Sequence, residues 1–257
     1  MKNLVISELE RVWSRGKTKG LLILFIGITI LWGFFMKQSD MGFYDPDTIM
    51  KLNSLNFGVF IVRDIHPLLV FVVLPMLYVD CFNGEHSLGY YRNVMIRPYK
   101  KWQFIVSKII AQIIVTFIVV FIMFVLTSIL GELCFDKVDS TEFFKVSGNF
   151  SFLGAFIYRA KYYFVEFVIL ITVLSLSTLI CTIIPNVVLA FMSIVGFFIG
   201  GIYVLGDDFF FFLSSGKDIF DVLGNVQSYS FYIIVVSFII IGITSTLTLW
   251  KRKDFLY

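Results

Sequence analysis

The chain has 257 residues, of which 58% are hydrophobic and only 15% carry a charged side chain. Soluble domains average about 25% charged residues, so this composition predicts a polytopic membrane protein. The net charge of +3 is too small to indicate nucleic-acid binding. Three cysteines without paired spacing indicate neither a metal site nor a disulfide framework.

Residues 1–19 are predicted to form an amphipathic helix at the membrane surface. Apolar side chains share about a third of the helical wheel: Val5, Ile6, Leu9, Val12 and Trp13. Charged side chains lie elsewhere on the wheel: Glu8, Glu10, Arg11 and Arg15. The long charged region, without a small-residue cleavage site after the next apolar run, argues against a signal peptide.

Six apolar stretches are long enough to cross a bilayer. They cover residues 20–36, 62–82, 104–130, 162–184, 187–205 and 229–250. Pro75 is expected to kink the second span. An even number of spans puts both termini on one side, and the excess of Lys and Arg there predicts cytoplasmic termini in a plasma-membrane protein.

Residues 85–98, between spans two and three, read as a short amphipathic helix. Its apolar arc consists of Leu88, Tyr90, Tyr91, Val94 and Met95. The opposite side carries Arg92, Asn93 and Arg97, and Pro98 is expected to end the helix. From periodicity alone, the favoured interpretation is a helix lying in the lipid headgroups, or simply a basic loop that fixes orientation.

The order of residues in this segment resembles the first cytoplasmic loop of type-2 ABC exporter permeases. The matching positions are Glu85, Gly89, Tyr90, Tyr91, Arg92, Val94, Met95, Arg97 and Pro98. In that family the loop forms a coupling helix that docks on a separate ATPase. The rest of the chain agrees with the family layout: a tight turn at Pro185–Asn186, an outer segment similar to a re-entrant hairpin between spans five and six, and a closing basic cluster before Asp254.

The resemblance implies an all-α permease with six transmembrane helices that works with two ATPase subunits and a second permease protomer, identical or sister. Mg-ATP would bind the ATPase and not this chain. A phosphate loop has the pattern GxxxxGK[ST], and Gly16-Lys17-Thr18 would match its end only if residue 11 were Gly, but residue 11 is Arg. Spans two and five would line the pathway. Few charges and many aromatic residues in the spans favour an amphipathic cargo, with a peptide preferred and a drug, lipid or polysaccharide-lipid as alternatives.

Three ionisable residues lie within the predicted spans: Asp80, Lys108 and Glu166. Charges at membrane depth are costly and often functional. Asp80 and Lys108 either snorkel independently to the interface or form an ion pair at the root of the coupling helix. Glu166 is expected to pair with Lys161 or Arg159, or else to line a substrate path.

The aromatic run between spans five and six contains Phe209, Phe210, Phe211 and Phe212. It either packs against lipid or forms an apolar plug that keeps an outer gate dry.

The rival functions are an ATP-independent membrane enzyme or immunity protein and a passive channel. A zinc-protease motif of the HExxH type is absent, although Glu85-His86 resembles part of one, because position 89 is Gly. Ser175 and Ser177 are poor candidates for a nucleophile, because neither has a neighbouring base. We therefore expect no catalytic residues, no metal and no cofactor in this chain, and no enzymatic activity of its own.

Overall fold

The computed structural model describes residues 1–45, 48–87, 100–224 and 228–252. Its helices are α1 (Lys2–Ser14), α2 (Gly16–Ser39), α3 (Phe57–Leu68), α4 (Leu74–Ser87), α5 (Lys101–Cys134), α6 (Phe152–Ile183), α7 (Val187–Leu205), α8 (Asp207–Phe210), α9 (Gly216–Leu223) and α10 (Ser228–Arg252). A π-helical segment, Leu69–Val73, joins α3 to α4. Six helical stretches are long and apolar enough to cross a membrane, so the chain is a mainly helical multi-pass membrane protein.

Two short antiparallel hairpins interrupt the helical order. β1 (Met41–Asp45) pairs with β2 (Thr48–Lys51), and β3 (Ser140–Phe143) pairs with β4 (Val146–Ser151). The sequence analysis predicts no strand here. Both hairpins lie at the same end of the helical bundle, which we call the hairpin end. The opposite end contains the α1–α2 junction and the C-terminal turns of α4, and we call it the charge-network end.

The second span is one continuous path through α3, the π-helical segment and α4, so it begins at Phe57 rather than at residue 62. Pro75 cannot donate a backbone hydrogen bond to the preceding turn. The wide π-helical turn stands directly before it, which is where such a missing donor is accommodated. The helix is therefore locally widened before Pro75, and the kink expected there stays a prediction.

Two spans form the centre of the bundle. In the apolar stretches of the α3–α4 path and of α6, 67% of residues are buried, compared with 17% in α7. α6 packs most extensively on α10. There Gly242 allows close approach, because a Cβ would lie only 2.2 Å from Ser175 Oγ, and that hydroxyl donates to the Ile239 carbonyl at 2.9 Å. α2, α7 and α10 leave broad apolar faces uncovered.

The connection between α6 and α7 is tight, as Pro185–Asn186 predicts. The side chain of Asn186 accepts hydrogen bonds from the backbone N–H groups of Val188 and Leu189 at 2.9 and 3.1 Å. These bonds satisfy donors that a helix start leaves without an intrahelical partner. α7 therefore begins at a fixed point directly after α6.

Candidate functional site

The predicted coupling segment falls largely outside the described residues. Glu85 lies in the last turns of α4, whose backbone is helical through Ser87. The remaining candidates are outside the described ranges: Gly89, Tyr90, Tyr91, Arg92, Val94, Met95, Arg97 and Pro98. The structure does describe the two helix ends, α4 and α5, that flank this segment.

α1 packs on α5 through Leu4, Glu8 and Val12, which are spaced four residues apart and are all buried. This face differs from the predicted arc in two respects: it contains the acidic residue Glu8, and Ile6 of the predicted arc is exposed. Glu8 is 4% exposed and forms an ion pair with Arg11 of the same helix. A carboxylate on a buried face is stabilised further when a second cation meets it from across the interface.

Lys108 of α5 provides that cation. Its side chain is fully buried, and its Nζ lies 3.7 Å from Glu8 Oε2. The same ammonium donates a hydrogen bond to the backbone carbonyl of Cys81 at 2.8 Å. Lys108 therefore does not snorkel to the interface but joins α1, α4 and α5.

Asp80 makes the second link between α1 and the spans. Its Oδ2 is 2.5 Å from Nη1 of Arg15, which also donates to the Asp80 carbonyl at 2.8 Å. A Cβ on Gly84 would lie 3.3 Å from Asp80 Oδ1, so this glycine leaves room for the pair. The hypothesis of a direct Asp80–Lys108 pair is wrong in its partners, because each charge meets a residue at the N-terminal side: Arg15 and Glu8. We call Glu8, Arg15, Asp80 and Lys108 the charge network.

A mainly apolar cavity of about 250 Å³ opens beside the charge network. α2, α4 and α7 form its walls, which include Leu21, Leu77, Val188 and Phe191. Lys17 and Asp80 also line it. An apolar volume with a few polar groups at one side suits an amphipathic molecule. A second, more open groove of about 440 Å³ lies near the hairpin end, between α6, α9 and α10.

Glu166 has a different partner from the two that the sequence suggests. Its Oε1 lies 2.6 Å from Nδ1 of His66 in α3, and both side chains are buried. Arg159 instead donates to Ser128 Oγ at 2.5 Å and stacks over the ring of Phe124. The predicted Glu166–Arg159 pair is therefore replaced by a pair that joins the two central spans.

Comparison with known families identifies the chain. A family model described as "Protein of unknown function (DUF2705)" matches residues 23–256. The chain belongs to the DUF2705 family. The matched range contains His66, Asp80, Lys108 and Glu166 and begins after Glu8 and Arg15. No curated protein matches the chain.

The aromatic run of this DUF2705 protein packs inward for the most part. Phe209, Phe211 and Phe212 are at most 2% exposed, whereas Phe210 is 41% exposed. The rings of Phe209 and Phe212 lie 4.7 Å apart, and Phe212 is equally close to Phe198 of α7. The run therefore packs against protein rather than only against lipid, as an apolar plug requires.

Sequence reasoning missed three members of these clusters: Glu8, Arg15 and His66. Glu8 could have been found from its spacing, since it occupies the same helical face as Leu4 and Val12. His66 gave a weaker signal, because a single histidine near a predicted span end is usually a surface residue.

α9 at the hairpin end carries an acidic pair. Asp221 accepts a hydrogen bond from the Tyr44 hydroxyl at 2.7 Å. Burial, together with the neighbouring Asp221 carboxylate, raises the pKa of Asp218 to about 6. An unfolded aspartate titrates near pH ~3.9, so between these values the folded state binds more protons than the unfolded state. The free energy of unfolding therefore falls as pH rises from about 4 to about 6.

We therefore expect Asp218→Asn to stabilise the protein at neutral pH. At pH ~7.5 the substitution removes a partly buried charge and should raise Tm by about 2–4 °C. At pH ~4 the carboxyl is protonated in the folded state and the difference should vanish. Thermal unfolding in detergent at the two pH values measures the Tm difference between the variant and the native protein. Asp139→Asn, at an exposed position, is the control. An equal Tm difference at both pH values would show that Asp218 does not titrate in this way.

Proposed function

We propose that this chain is the membrane-spanning permease subunit of an ATP-driven ABC exporter. It docks a separate ATPase through residues 85–98 and exports an amphipathic substrate, with a peptide as the preferred class. The observation that carries the proposal is the charge network at the two helix ends flanking this segment. Sequence resemblance supplies the docking role of the segment, and the network supplies a physical reason why force applied there would reach the spans.

The charge network connects the two helices that flank the segment. α4 leads into it, and α5 leads out of it. Lys108 lies two turns inside α5 and bonds to the Cys81 carbonyl of α4, while Glu8 and Arg15 tie the α1 side to both helices. The buried Glu8–Lys108 pair resists separation, because each partner would be left uncompensated, and the partly exposed Arg15–Asp80 pair adds a second link. A push on the segment would therefore move α1, α4 and α5 together.

The apolar cavity supports an amphipathic substrate. It is bounded by α4 of span two and by α7 of span five, the spans that the family resemblance assigns to the pathway. Because its walls are mainly apolar, transfer of an apolar side chain or acyl chain from water into it would be favourable by about 25 cal/mol per Å². A small ion would find few polar ligands there.

A second permease protomer is supported by the surface of α7. Its buried side chains are Ala190, Ile194 and Phe198, on one stripe of the helix. Val188, Leu189 and Met192 are each at least 60% exposed. Lipid or a second protomer must cover this face in the membrane, and a protomer related by two-fold symmetry would enclose the cavity side of α7. The partner assembly is then two permeases and two ATPases that bind Mg-ATP.

Filling the cavity should inhibit transport without unfolding the protein. Val188 lines the cavity and is 64% exposed, so Val188→Trp adds bulk without disturbing the packed core. We expect binding of a fluorescent amphipathic peptide to weaken at least about tenfold, and ATP-dependent peptide uptake into inverted vesicles to fall in parallel. The matched control is Leu133→Trp at the hairpin end of α5, which is 76% exposed and does not line the cavity. Equal effects of the two substitutions would remove the cavity from the pathway.

The proposed orientation puts both termini in the cytoplasm. Cys134, at the hairpin end of α5, is half-buried, whereas Cys81 and Cys181 are buried. An impermeant maleimide added to intact cells should therefore label Cys134, and Cys134→Ser should abolish the labelling. Labelling of Cys134 only after the membrane is permeabilised would reverse the orientation and remove the ATPase-docking proposal.

A further inference from the structure

The centre of the bundle contains a pair of ionisable side chains that the exporter proposal does not use. His66 of α3 is 0% exposed and Glu166 of α6 is 1% exposed, and His66 Nδ1 lies 2.6 Å from Glu166 Oε1. The other polar atom of each side chain, His66 Nε2 and Glu166 Oε2, is buried without a hydrogen-bond partner among the described residues. The same is true of the hydroxyl oxygen of Tyr162. A buried polar group left unpaired costs about 1–3 kcal/mol, so such a cluster calls for an explanation.

Counting protons gives the pair two principal charge states. With one proton on Nδ1 and an ionised Glu166, the pair carries a net charge of −1, and Nε2 presents a lone pair. Addition of one proton at Nε2 makes an imidazolium beside a carboxylate and a neutral pair. In both states a proton on Nδ1 can donate to the Glu166 carboxylate, so the bond between the spans is kept. It strengthens on protonation, because the donor ring then carries a positive charge as well.

Charged and titratable groups around the pair come from three helices in the described part of the chain. α6 contributes Glu166 itself and two tyrosines that interact electrostatically with it, Tyr162 and Tyr163. Tyr162 also interacts with Arg63 of α3. α9 contributes Asp218, which interacts electrostatically with His66 and has Asp221 beside it. Asp218 lies outside the candidate spans and is partly exposed. The helix α9 that carries Asp218 packs on both α3 and α6, so this carboxyl lies at the hairpin end of the two helices that carry the pair.

We propose that the His66–Glu166 pair is a proton-binding site inside the bundle, loaded from the hairpin end. The proton comes from water, reaches the site past Asp218 and adds to His66 Nε2. The titration of Asp218 near pH 6 suits a group that exchanges protons with solvent. This site is independent of the ATPase-docking proposal, because it rests on α3, α6 and α9 alone.

The two histidines of the chain, His66 and His86, allow a direct test. Protein labelled with ¹⁵N in its histidine rings is placed in lipid nanodiscs, and His86→Gln leaves the His66 signals alone. We expect the His66 ring nitrogens to report uptake of one proton between pH ~9 and ~5. Glu166→Gln removes the counter-charge and should move the midpoint down by at least about one pH unit, whereas the exposed Glu132→Gln should not move it.

A second variant keeps the test informative if Glu166→Gln does not fold. Asp218→Asn leaves both spans unaltered and should lower the His66 midpoint by a smaller amount, because it removes a nearby negative charge. The proposal would be overturned if the His66 ring signals stayed constant across the pH range in the protein with native Glu166 and Asp218. A midpoint that Asp218→Asn leaves unchanged would overturn loading from the hairpin end.

Discussion

Lys108→Met is expected to be the most destabilising single substitution in the charge network. It leaves Glu8 buried with Arg11 as its only cation among the described residues, and it removes the donor to the Cys81 carbonyl. Removal of one member of a buried ion pair typically costs about 3–5 kcal/mol. Because Arg11 remains, we expect about 3 kcal/mol, which corresponds to a fall in Tm of about 6–12 °C for a chain of this size.

The measurement is thermal unfolding of purified protein by fluorescence-detected size exclusion. Lys19→Met, an exposed lysine at the same end of the bundle, is the matched control and should change Tm by less than about 2 °C. Glu8→Gln combined with Lys108→Met should recover part of the loss, since the double variant no longer buries an unpaired charge. Strict additivity of the two substitutions would show that Glu8 and Lys108 do not interact.

Arg97→Glu is expected to have the largest effect on the proposed complex. Arg97 belongs to the predicted coupling helix, and a guanidinium can form two parallel hydrogen bonds with a carboxylate on the partner. Charge reversal turns that attraction into repulsion, so we expect recovery of the ATPase with the tagged permease to fall at least about tenfold. The permease itself should insert normally, because no span is altered.

Two other substitutions separate docking from a general charge effect. Tyr91→Ala and Met95→Ala remove apolar anchors from the same segment and should also reduce ATPase recovery, without any change in charge. Lys137→Glu reverses an exposed charge between α5 and β3, on the side predicted to face away from the ATPase, and should leave recovery unchanged. Equal losses for Arg97→Glu and Lys137→Glu would indicate a non-specific effect of charge.

The six apolar helices could be predicted because a bilayer-spanning helix needs a long run of apolar residues that is visible in the sequence. Their ends were harder to predict. α6 begins at Phe152, ten residues before the predicted span, because hydropathy reports the part of a helix that lies in lipid and not the helix itself. Arg159 and Lys161 suggest the end of a span, yet Arg159 lies within α6 and turns toward Ser128.

Charge partners could not be predicted from local spacing. Arg15 and Asp80 are separated by 65 positions, and His66 and Glu166 by 100, so only the packing of helices brings them together. The sequence identified Asp80, Lys108 and Glu166 as unusual because charges within spans are costly. It could not choose among partners, and the nearest candidates along the chain, Lys161 and Arg159, were not the ones that Glu166 contacts.

The hairpins were missed for a similar reason. Lys145, with φ of 61°, lies between β3 and β4, where the chain reverses. Phe143 stacks on Tyr158 of α6 with ring centroids 4.0 Å apart, so the hairpin packs on protein.

The most direct test of the exporter proposal is purification of the tagged, otherwise native chain from membranes of its own host in mild detergent, followed by mass spectrometry of the bound proteins. The proposal predicts that an ATPase with a phosphate-loop sequence is recovered in about equal molar amount to the permease and hydrolyses Mg-ATP. This ATPase should be lost with Arg97→Glu and retained with Lys137→Glu. Recovery of the permease without any such ATPase, under conditions in which the protein remains folded, would contradict it.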